Sequence, residues 1–296
     1  MRFNNKVFDI NTHPYLFEDV CKSKEDLDFA IKITGLYHNG LAAMHEVFAR
    51  LDCAKIDFSV LSPLDLSSAY GRKLATNEQV KELVEKYPDY FIGFASVDPS
   101  EANAADALRY AFKELDLKGV YLFPALQNFC PEGCAPLDDI AKLCIEFDRP
   151  MLVDCGCSPY PNLTSKYSHP LQWEEFIFRH PELRICLSRF AWPWNREMYM
   201  LMLKFRNVYT DTSIVYFDDP KQMYHQMFTV DMGPKWLDRS FRHQVMFGSG
   251  DPGLEQIRQL NAIRNLDMRE ESKELILSQN ALEFMGYKKD MRWVHD

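Results

Sequence analysis

The sequence predicts an α/β fold, a single (β/α)₈ (TIM) barrel with a helical insertion after its first strand. Three observations predict it. Short runs of β-favouring apolar residues alternate with longer amphipathic runs along the chain. Eight such short runs are present, and most are apolar throughout, which is typical of parallel strands buried on both faces. The length of 296 residues suits one barrel with insertions.

The predicted elements follow one another in the order that a closed parallel barrel requires. The strands are Lys6–Asn11, Asp57–Leu61, Phe91–Val97, Gly119–Phe123, Pro150–Asp154, Arg184–Ser188, Asn207–Asp211 and Gln244–Phe247. The helices are Asn77–Lys86, Ala102–Leu115, Leu137–Phe147, Pro170–Arg179, Glu197–Phe205, Leu254–Leu266 and Glu270–Met285. No stretch of linker composition divides the chain, so we expect residues 1–296 to form one domain.

The longest departure from strand–helix alternation is Pro14–Ala54, between the first two strands. It contains two helical patterns, at Ser23–Thr34 and His38–Leu51. The carboxyl ends of barrel strands form the open end of the barrel. We therefore predict that this insertion lies over the barrel mouth.

Composition narrows the partners and the compartment. With 34 Lys and Arg against 43 Asp and Glu, the net charge of −9 disfavours nucleic acid and anionic membrane surfaces. No apolar run is long enough to cross a bilayer, and the first residues lack the pattern of a signal peptide. We expect a cytoplasmic protein that binds a small molecule. Its eight cysteines are then expected to be reduced.

Several short motifs resemble one family in their order and spacing. They are Phe8-Asp9 through His13, YPDYFIGFASVDP at 87–99, KGVYLFPALQ at 118–127, SPYPNL at 158–163, KYSHP at 166–170, HPEL at 180–183, AWPW at 191–194, NVYTDTS at 207–213, residues 247–252 and Asn280-Ala281. On these residues the chain resembles the amidohydrolase 2 branch of the amidohydrolase superfamily. The resemblance implies a TIM barrel with the activity of a metal-dependent hydrolase or decarboxylase. A homodimer is a further possibility, because dimers are common among relatives.

The strand ends at which the resemblance places metal ligands carry other residues here. Asn11 replaces the first His of an Asp-x-His-x-His motif on strand one, which keeps His13. Asp154 stands where strand five of the family has a His, and Arg189 stands at the His of strand six. A permanently charged guanidinium repels a divalent ion, so no metal is expected in the family arrangement.

Our main hypothesis for the site is that an Arg189–Asp154 pair replaces the ion. Arg189 would then either neutralise the vacant site or hold an anionic substrate bidentately, with His13 or Asp251 moving protons. Asp251 follows Gly250, which occupies the Asp position of strand eight, by one residue. A weaker alternative is a new zinc or manganese site built from His13, Asp154 and Asp251.

Further residues are candidates for binding a substrate in the barrel mouth. Asn11 lies at the end of strand one, and Trp192, in the AWPW motif after strand six, could stack on a ring-shaped substrate. Tyr121 and Phe123 match a Lys-x-His pattern that is frequent on strand four of the family. Other aromatic residues either stack on a ring-shaped substrate or pack the loops, namely Trp194, Tyr160 and Tyr167. The strand-seven residues Asp211 and Ser213 are candidates for the rim, and Asp9 is expected to hydrogen-bond the backbone.

Two questions stay open at the level of sequence. Cys130, Cys134, Cys155 and Cys157 follow neighbouring strands, and they are either zinc ligands or reduced loop thiols. The barrel is either a hydrolase or decarboxylase for a small anionic or cyclic substrate, or a catalytically inactive barrel that binds a ligand or partner. The enzyme interpretation rests on analogy with the family.

Overall fold

The strands of the barrel occupy the predicted places. A computed structural model describes residues 7–157, 163–214 and 219–287. We label the barrel strands in chain order: β1 Phe8–Thr12, β2 Phe58–Leu61, β3 Phe91–Gly93 with Ala95–Ser96, β4 Val120–Leu122, β5 Met151–Val153, β6 Ile185–Leu187, β7 Val208–Asp211 and β8 Val245–Met246. Each of the eight predicted strands overlaps one of these strands, so the predicted fold class is confirmed. The predicted strand start Lys6 lies outside the described residues.

Each barrel strand pairs in parallel with the next one in the chain. β1 pairs with β2, β2 with the first run of β3, the second run of β3 with β4, and so on to β8. The ring closes through the backbone after β8: the Ile10 amide donates to the Phe247 carbonyl at 3.0 Å, and the Gly250 amide donates to the Asn11 carbonyl at 2.8 Å. β1 therefore lies between β2 and the segment that follows β8.

Helices surround the strands and cover the mouth. The α-helices are α1 Lys24–Thr34, α2 Met44–Ala54, α3 Ser67–Tyr70, α4 Asn77–Lys86, α5 Ala104–Lys113, α6 Pro124–Gln127, α7 Ala135–Glu146, α8 Glu174–Arg179, α9 Asn195–Lys204, α10 Pro220–His225, α11 Gln256–Arg264, α12 Glu270–Glu274 and α13 Asn280–Phe284. Short 3₁₀ segments span Ser165–Ser168, Pro170–Trp173 and Ser188–Ala191, and π-helical segments span Gln226–Asp231, Leu237–Phe241 and Leu275–Gln279. No helix within the described ranges is both long and apolar enough to cross a bilayer.

The insertion after β1 is helical, as predicted, but its second helix starts later. The pattern predicted a helix at His38–Leu51, whereas α2 begins at Met44. Asn39 and Gly40 favour a turn, and the amides of Asn39 and Ala42 bond to the carbonyls of Leu36 and Leu16 instead of forming helical bonds. The sequence also did not reveal the antiparallel hairpin Leu64–Leu66 with Arg72–Leu74.

Two glycines allow β3 and β4 to pack closely against the helices and against each other. A Cβ added at Gly119 would lie 2.6 Å from the Phe94 ring, and one added at Gly93 would lie 2.7 Å from the Leu117 side chain. Phe94 is fully buried, so it has no space into which to retreat. The absence of a side chain at Gly119 is thus a packing requirement of the barrel.

We predict that Gly119→Ala lowers the free energy of unfolding by about 1–3 kcal/mol, because the added methyl group overpacks the core beside Phe94. Urea denaturation measures the change. Gly40→Ala is the matched control, since a Cβ there has no neighbour within 4 Å. Equal stability of the two variants would contradict the packing seen between β3 and β4.

Candidate active site at the barrel mouth

Side chains from the carboxyl ends of four strands meet at the mouth of the barrel, where this fold places its active sites. Arg189, after β6, lies 2.6 Å from the carboxylate of Asp154, after β5 (Nη2 to Oδ2). The ring of His13, after β1, lies 5.1 Å from the ring of Tyr121 in β4. The Arg189 guanidinium lies 5.9 Å from the centre of the Phe123 ring. The sequence therefore identified residues that do come together.

The Arg189–Asp154 pair is buried. The side chain of Asp154 is 1% exposed and that of Arg189 is 15% exposed. Burial raises the pKa of Asp154 to about 6, Arg189 opposes the rise, nearby Asp211 adds to it, and the nearby Tyr121 hydroxyl opposes it slightly. Asp154 is thus mainly ionised at neutral pH, and it depends on Arg189 for its charge to be tolerated.

The backbone of Arg189 has an unusual conformation that directs its side chain into the mouth. Arg189, Phe190 and Ala191 have φ values of 59°, 51° and 50°, in the left-handed region that non-glycine residues rarely adopt. Two side chains of β7 stabilise this turn. Asp211 Oδ1 accepts a hydrogen bond from the Arg189 amide at 3.1 Å, and Thr210 Oγ1 accepts one from the Phe190 amide at 3.0 Å. β7 therefore positions the residue that follows β6.

Asp211 connects this turn to β1. Its Oδ1 also accepts from the Ser213 amide at 2.9 Å and the Ser213 hydroxyl at 2.5 Å. Its Oδ2 accepts from Asn11 Nδ2 at 3.1 Å. Asp211 is fully buried, so it lies beneath the mouth, not on the rim that the sequence suggested. The signal for Asp211 in the sequence is its position at the end of a strand.

His13 is a neutral imidazole of defined tautomer. Its Nδ1 lies 3.3 Å from the carbonyl oxygen of Ser62. A carbonyl oxygen can only accept, so Nδ1 holds the proton and Nε2 carries the lone pair. Burial lowers the pKa of His13 to about 4, a direction that the charge of Arg189 reinforces. His13 is therefore a hydrogen-bond acceptor towards a ligand, and a weak base.

The mouth contains a small cavity of about 230 Å³. Arg189 supplies a positive charge and His13 a hydrogen-bond acceptor, while Tyr15, Tyr121 and Phe123 form aromatic walls. The end of α1 and the two residues that follow it cover the cavity. Its lining is His13, Tyr15, Thr34, Gly35, Leu36, Tyr121, Phe123, Leu126, Arg189, Ser213, Gly250, Pro252, Gly253 and Leu254. The prediction that the insertion covers the mouth is thus confirmed for Thr34–Leu36.

Two residues predicted to bind substrate do not line this cavity. Asn11 is 1% exposed, and its amide donates to Asp211 and, at 3.1 Å, to the Ser213 hydroxyl. Those bonds hold Asn11 below the cavity floor. Trp192 packs against the hydrophobic core. Asn11 lies in β1 where the pairing with β2 is irregular, between Asp9 and Thr12, and Trp192 lies beyond the end of β6. At neither place does strand periodicity fix the side on which a residue lies.

The other aromatic candidates do not line the cavity either. Trp194 packs against the His169 ring at 4.7 Å, and Tyr167 packs against the hydrophobic core. For these two residues the loop-packing alternative describes their surroundings. Tyr160 and most of the motif at 158–163 lie outside the described residues.

Asp251 faces a different cavity from the other candidate residues. Its carboxylate lies 3.8 Å from the guanidinium of Arg50 in α2, and both side chains line a second cavity outside the barrel mouth. Burial raises the pKa of Asp251 to about 6. The backbone explains the placement: the His13 amide donates to the Asp251 carbonyl at 2.8 Å, so the main chain lies against β1 and the side chain points away from the mouth. Its predicted proton-moving role is therefore not supported by its position.

The donor set at the mouth fits a divalent cation poorly. Arg189 places a fixed positive charge 2.6 Å from Asp154, the carboxylate nearest the family's ligand position. Asn11 and Gly250 occupy two other such positions, and Asp251 points away. Among the residues that the structure describes, no three His, Cys, Asp or Glu side chains are grouped to hold a metal. The alternative site of His13, Asp154 and Asp251 is therefore not assembled.

The cysteines after β4 and β5 are separate thiols. Cys130, Cys134, Cys155 and Cys157 form no disulfide. Cys155 is buried, and its thiol donates to the Ser168 carbonyl at 3.0 Å. Burial raises the pKa of Cys134 and of Cys130. Among the described residues these thiols are not grouped to hold a metal, so the interpretation as reduced loop thiols describes their surroundings.

Known proteins share this architecture. The amidohydrolase family model matches residues 68–286. The chain belongs to the amidohydrolase family. This family, in its amidohydrolase 2 branch, includes decarboxylases that act on aromatic acids. No curated protein sequence matches the chain.

Solved structures agree on the fold. An uncharacterised TIM-barrel protein from Bordetella bronchiseptica is 19% identical with a TM-score of 0.75, over 95% of this chain and 99% of that one. 4-Oxalomesaconate hydratase from Rhodopseudomonas palustris is 17% identical with a TM-score of 0.65, over 95% of each chain. 5-Carboxyvanillate decarboxylase from Novosphingobium aromaticivorans, solved with bound manganese, is 17% identical with a TM-score of 0.64, over 97% and 99%. At these identities the likeness establishes the fold of this amidohydrolase and leaves its reaction open.

We predict that Arg189→Met lowers the free energy of unfolding at neutral pH by about 3–5 kcal/mol, because Asp154 is left as an uncompensated buried charge. The loss shrinks below about pH 6, where Asp154 is protonated with or without its partner. Urea denaturation across pH measures both effects.

Two further variants test whether the buried charge of Asp154 causes the loss of stability. The double variant Arg189→Met with Asp154→Asn removes both charges and should recover most of the loss. Arg109→Met breaks the exposed pair with Glu146 and should cost at most about 1 kcal/mol. A double variant as unstable as Arg189→Met would show that the charge of Asp154 is not the cause.

A second prediction concerns Asp9, whose pKa burial raises to about 7 although hydrogen bonds from Ser249 and Gln256 oppose the rise. In the unfolded chain the Asp9 carboxyl ionises at about pH 4. Between about pH 4 and pH 7 this carboxyl therefore takes up a proton when the chain folds. The stability of the wild type relative to Asp9→Asn should therefore fall as pH rises through this window. Urea midpoints measure it, with the exposed Asp52→Asn as control. A difference that does not vary with pH would contradict a protonated Asp9.

Proposed function

We propose that this amidohydrolase is an enzyme that decarboxylates a small, planar, cyclic carboxylic acid at the barrel mouth, with the Arg189–Asp154 pair in the place of a metal ion. The observation that carries the proposal is the guanidinium of Arg189, 2.6 Å from a buried carboxylate, on the wall of an aromatic-lined cavity. Arginine binds carboxylates through two parallel hydrogen bonds. The mouth is thus suited to an anion.

The cavity limits the size and shape of the substrate. Its volume of about 230 Å³ is smaller than the roughly 300–1,000 Å³ of drug-sized sites. The rings of Tyr121 and Phe123 lie 6.5 Å apart beside Arg189, which suits a flat ring with its carboxylate directed at the guanidinium. A decarboxylase relative whose name gives an aromatic acid as substrate supports this class.

A substrate carboxylate would also prepare the proton that decarboxylation needs. Asp154 stays ionised because Arg189 compensates its charge. When an anion shares that guanidinium, Asp154 loses part of this compensation and gains a negative neighbour, so its pKa rises above about 6 and it takes up a proton. Substrate binding and proton loading are thereby coupled.

Tyr121 links that proton to the cavity. Its hydroxyl lies close enough to the Asp154 carboxylate to lower the pKa of that group, and its side chain lines the cavity. As the bond between the ring carbon and the carboxylate breaks, its electron pair remains on the ring carbon, which takes the Tyr121 proton. Asp154 returns a proton to Tyr121, neutral carbon dioxide leaves, and the ionised Asp154 pairs again with Arg189. His13, with Nε2 as acceptor, would orient a ring hydroxyl.

Two rival functions make different demands on the same residues. Hydrolysis needs a base that activates water, and His13, with a pKa of about 4, is a weak one. A barrel that only binds its ligand needs Arg189 but not the Tyr121–Asp154 pair. Zinc or manganese dependence would need ligands that the described residues of the mouth do not group together.

We predict that benzoate and hydroxybenzoates bind the purified protein with uptake of a proton near neutral pH, because anion binding raises the pKa of Asp154. Calorimetry in two buffers of different ionisation enthalpy measures the uptake. Asp154→Asn should bind without proton uptake. Arg189→Met should lose at least about tenfold in affinity, as expected for a charge-assisted bond.

Turnover separates the enzyme from the ligand-binding alternative. Carbon dioxide release from a panel of hydroxylated benzoic and heteroaromatic acids should be lost in Tyr121→Phe while binding persists. Elemental analysis accompanies the assay, and turnover should withstand a chelator. Binding without proton uptake and without any turnover would favour the inactive barrel, and turnover that requires zinc or manganese would overturn the replacement of the metal.

A further inference from the structure

A second cavity lies outside the barrel mouth, between α2 and the start of α11. We call it the outer cavity, and its volume is about 840 Å³. Its lining is Asn39, Ala49, Arg50, Cys53, Asp251, Pro252, Gly253, Leu254, Glu255, Gln256 and Ile257. It shares the segment Pro252–Leu254 with the cavity at the mouth, so that segment forms part of the wall of both cavities. The proposed decarboxylation does not use the outer cavity.

The carboxylate of Asp251 is buried in the wall of this cavity, and no described residue donates a hydrogen bond to it. Its side chain is only 10% exposed. Its one charged neighbour within the described residues is Arg50, whose Nη1 lies 3.8 Å from Oδ1, beyond hydrogen-bond distance. Buried carboxylates are normally paired and hydrogen-bonded, because leaving them unsatisfied is costly. Asp251 therefore has acceptor capacity directed at the cavity.

Arg50 supplies hydrogen-bond donors and a positive charge beside that carboxylate. Its side chain is 46% exposed, and Asp251 is its one ion-pair partner in the described part of the chain. Neighbouring Glu255 is directed elsewhere, with Oε2 3.6 Å from Nε of Arg258. The outer cavity thus presents one carboxylate and one guanidinium side by side, each with hydrogen-bonding groups that no described residue uses.

Such a pair selects ligands that carry both charges. A plain ammonium ligand on Asp251 would be repelled by Arg50, and a plain carboxylate on Arg50 would be repelled by Asp251. A ligand with an ammonium beside a carboxylate meets each charge with its opposite. The remaining walls include Ala49, Leu254 and Ile257, which suit an apolar group.

We propose that the outer cavity binds a zwitterionic α-amino acid with an apolar side chain, its ammonium on Asp251 and its carboxylate on Arg50. The proposal does not depend on the decarboxylase function. It gives Asp251, which the sequence marked for the catalytic site, a role that matches its position.

Three probes of similar size test the charge requirement by calorimetry: L-phenylalanine, phenethylamine and 3-phenylpropanoate. L-Phenylalanine should bind at least about tenfold more tightly than either probe with one charge, because each of these loses one charge-assisted bond and meets one repulsion. Benzoate, the probe for the barrel mouth, should not displace it. Equal binding of the three probes, or no binding of L-phenylalanine, overturns the proposal.

Variants locate the site. Arg50→Gln, at a half-exposed helix position, and Asp251→Asn should each weaken L-phenylalanine binding at least about tenfold in protein that urea denaturation shows to be folded. Arg109→Gln, in an exposed pair on another helix, should leave it unchanged. If Arg50→Gln binds L-phenylalanine as tightly as the wild type, or if benzoate displaces it competitively, the amino acid does not occupy the outer cavity and the proposal is wrong.

Discussion

The buried ion pair of Arg189 and Asp154 is the interaction on which the barrel mouth depends. Neither residue is tolerable there alone, because a single charge so deeply buried would be strongly destabilising. The pair fixes the distance between the ends of β5 and β6, and it sets the ionisation of Asp154. A ligand that competes for Arg189 therefore changes the charge state of the site as well as filling it.

A layer of buried polar groups supports that pair. Asp211 stabilises the left-handed turn at Arg189 and accepts a hydrogen bond from the side-chain amide of Asn11. Asp9 accepts hydrogen bonds from the Ser249 backbone amide at 2.9 Å and from the Gln256 side chain at 3.0 Å. These contacts join β1, β6, β7 and the segment after β8. The strand ends are thus cross-linked beneath the cavity floor, which preorganises the groups above it.

The segment after β8 divides the mouth from the outer cavity. Hydrogen bonds from the Gly250 amide to Asn11 and from the His13 amide to Asp251 hold its backbone against β1. Pro252–Leu254 then lines both cavities, of which Arg189 lines the one at the mouth and Asp251 lines the outer one. Asp251 stands one residue after the position of the Asp in the family motif, and its carboxylate therefore lies outside the mouth.

The sequence by itself determined the eight strands, their order and the residues at their ends. Buried parallel strands are runs of apolar residues, and neighbours in the chain become neighbours in the ring, so Arg189 beside Asp154 followed from adjacency. Only the tertiary structure decided where Asn11, Trp192 and Asp251 point. Asn11 lies at an irregularity in the pairing of β1, and Trp192 and Asp251 lie beyond strand ends, so the alternation of sides is lost at all three. Partners distant in sequence, such as Asp211 for Asn11 and Arg50 for Asp251, set the direction of the side chain there.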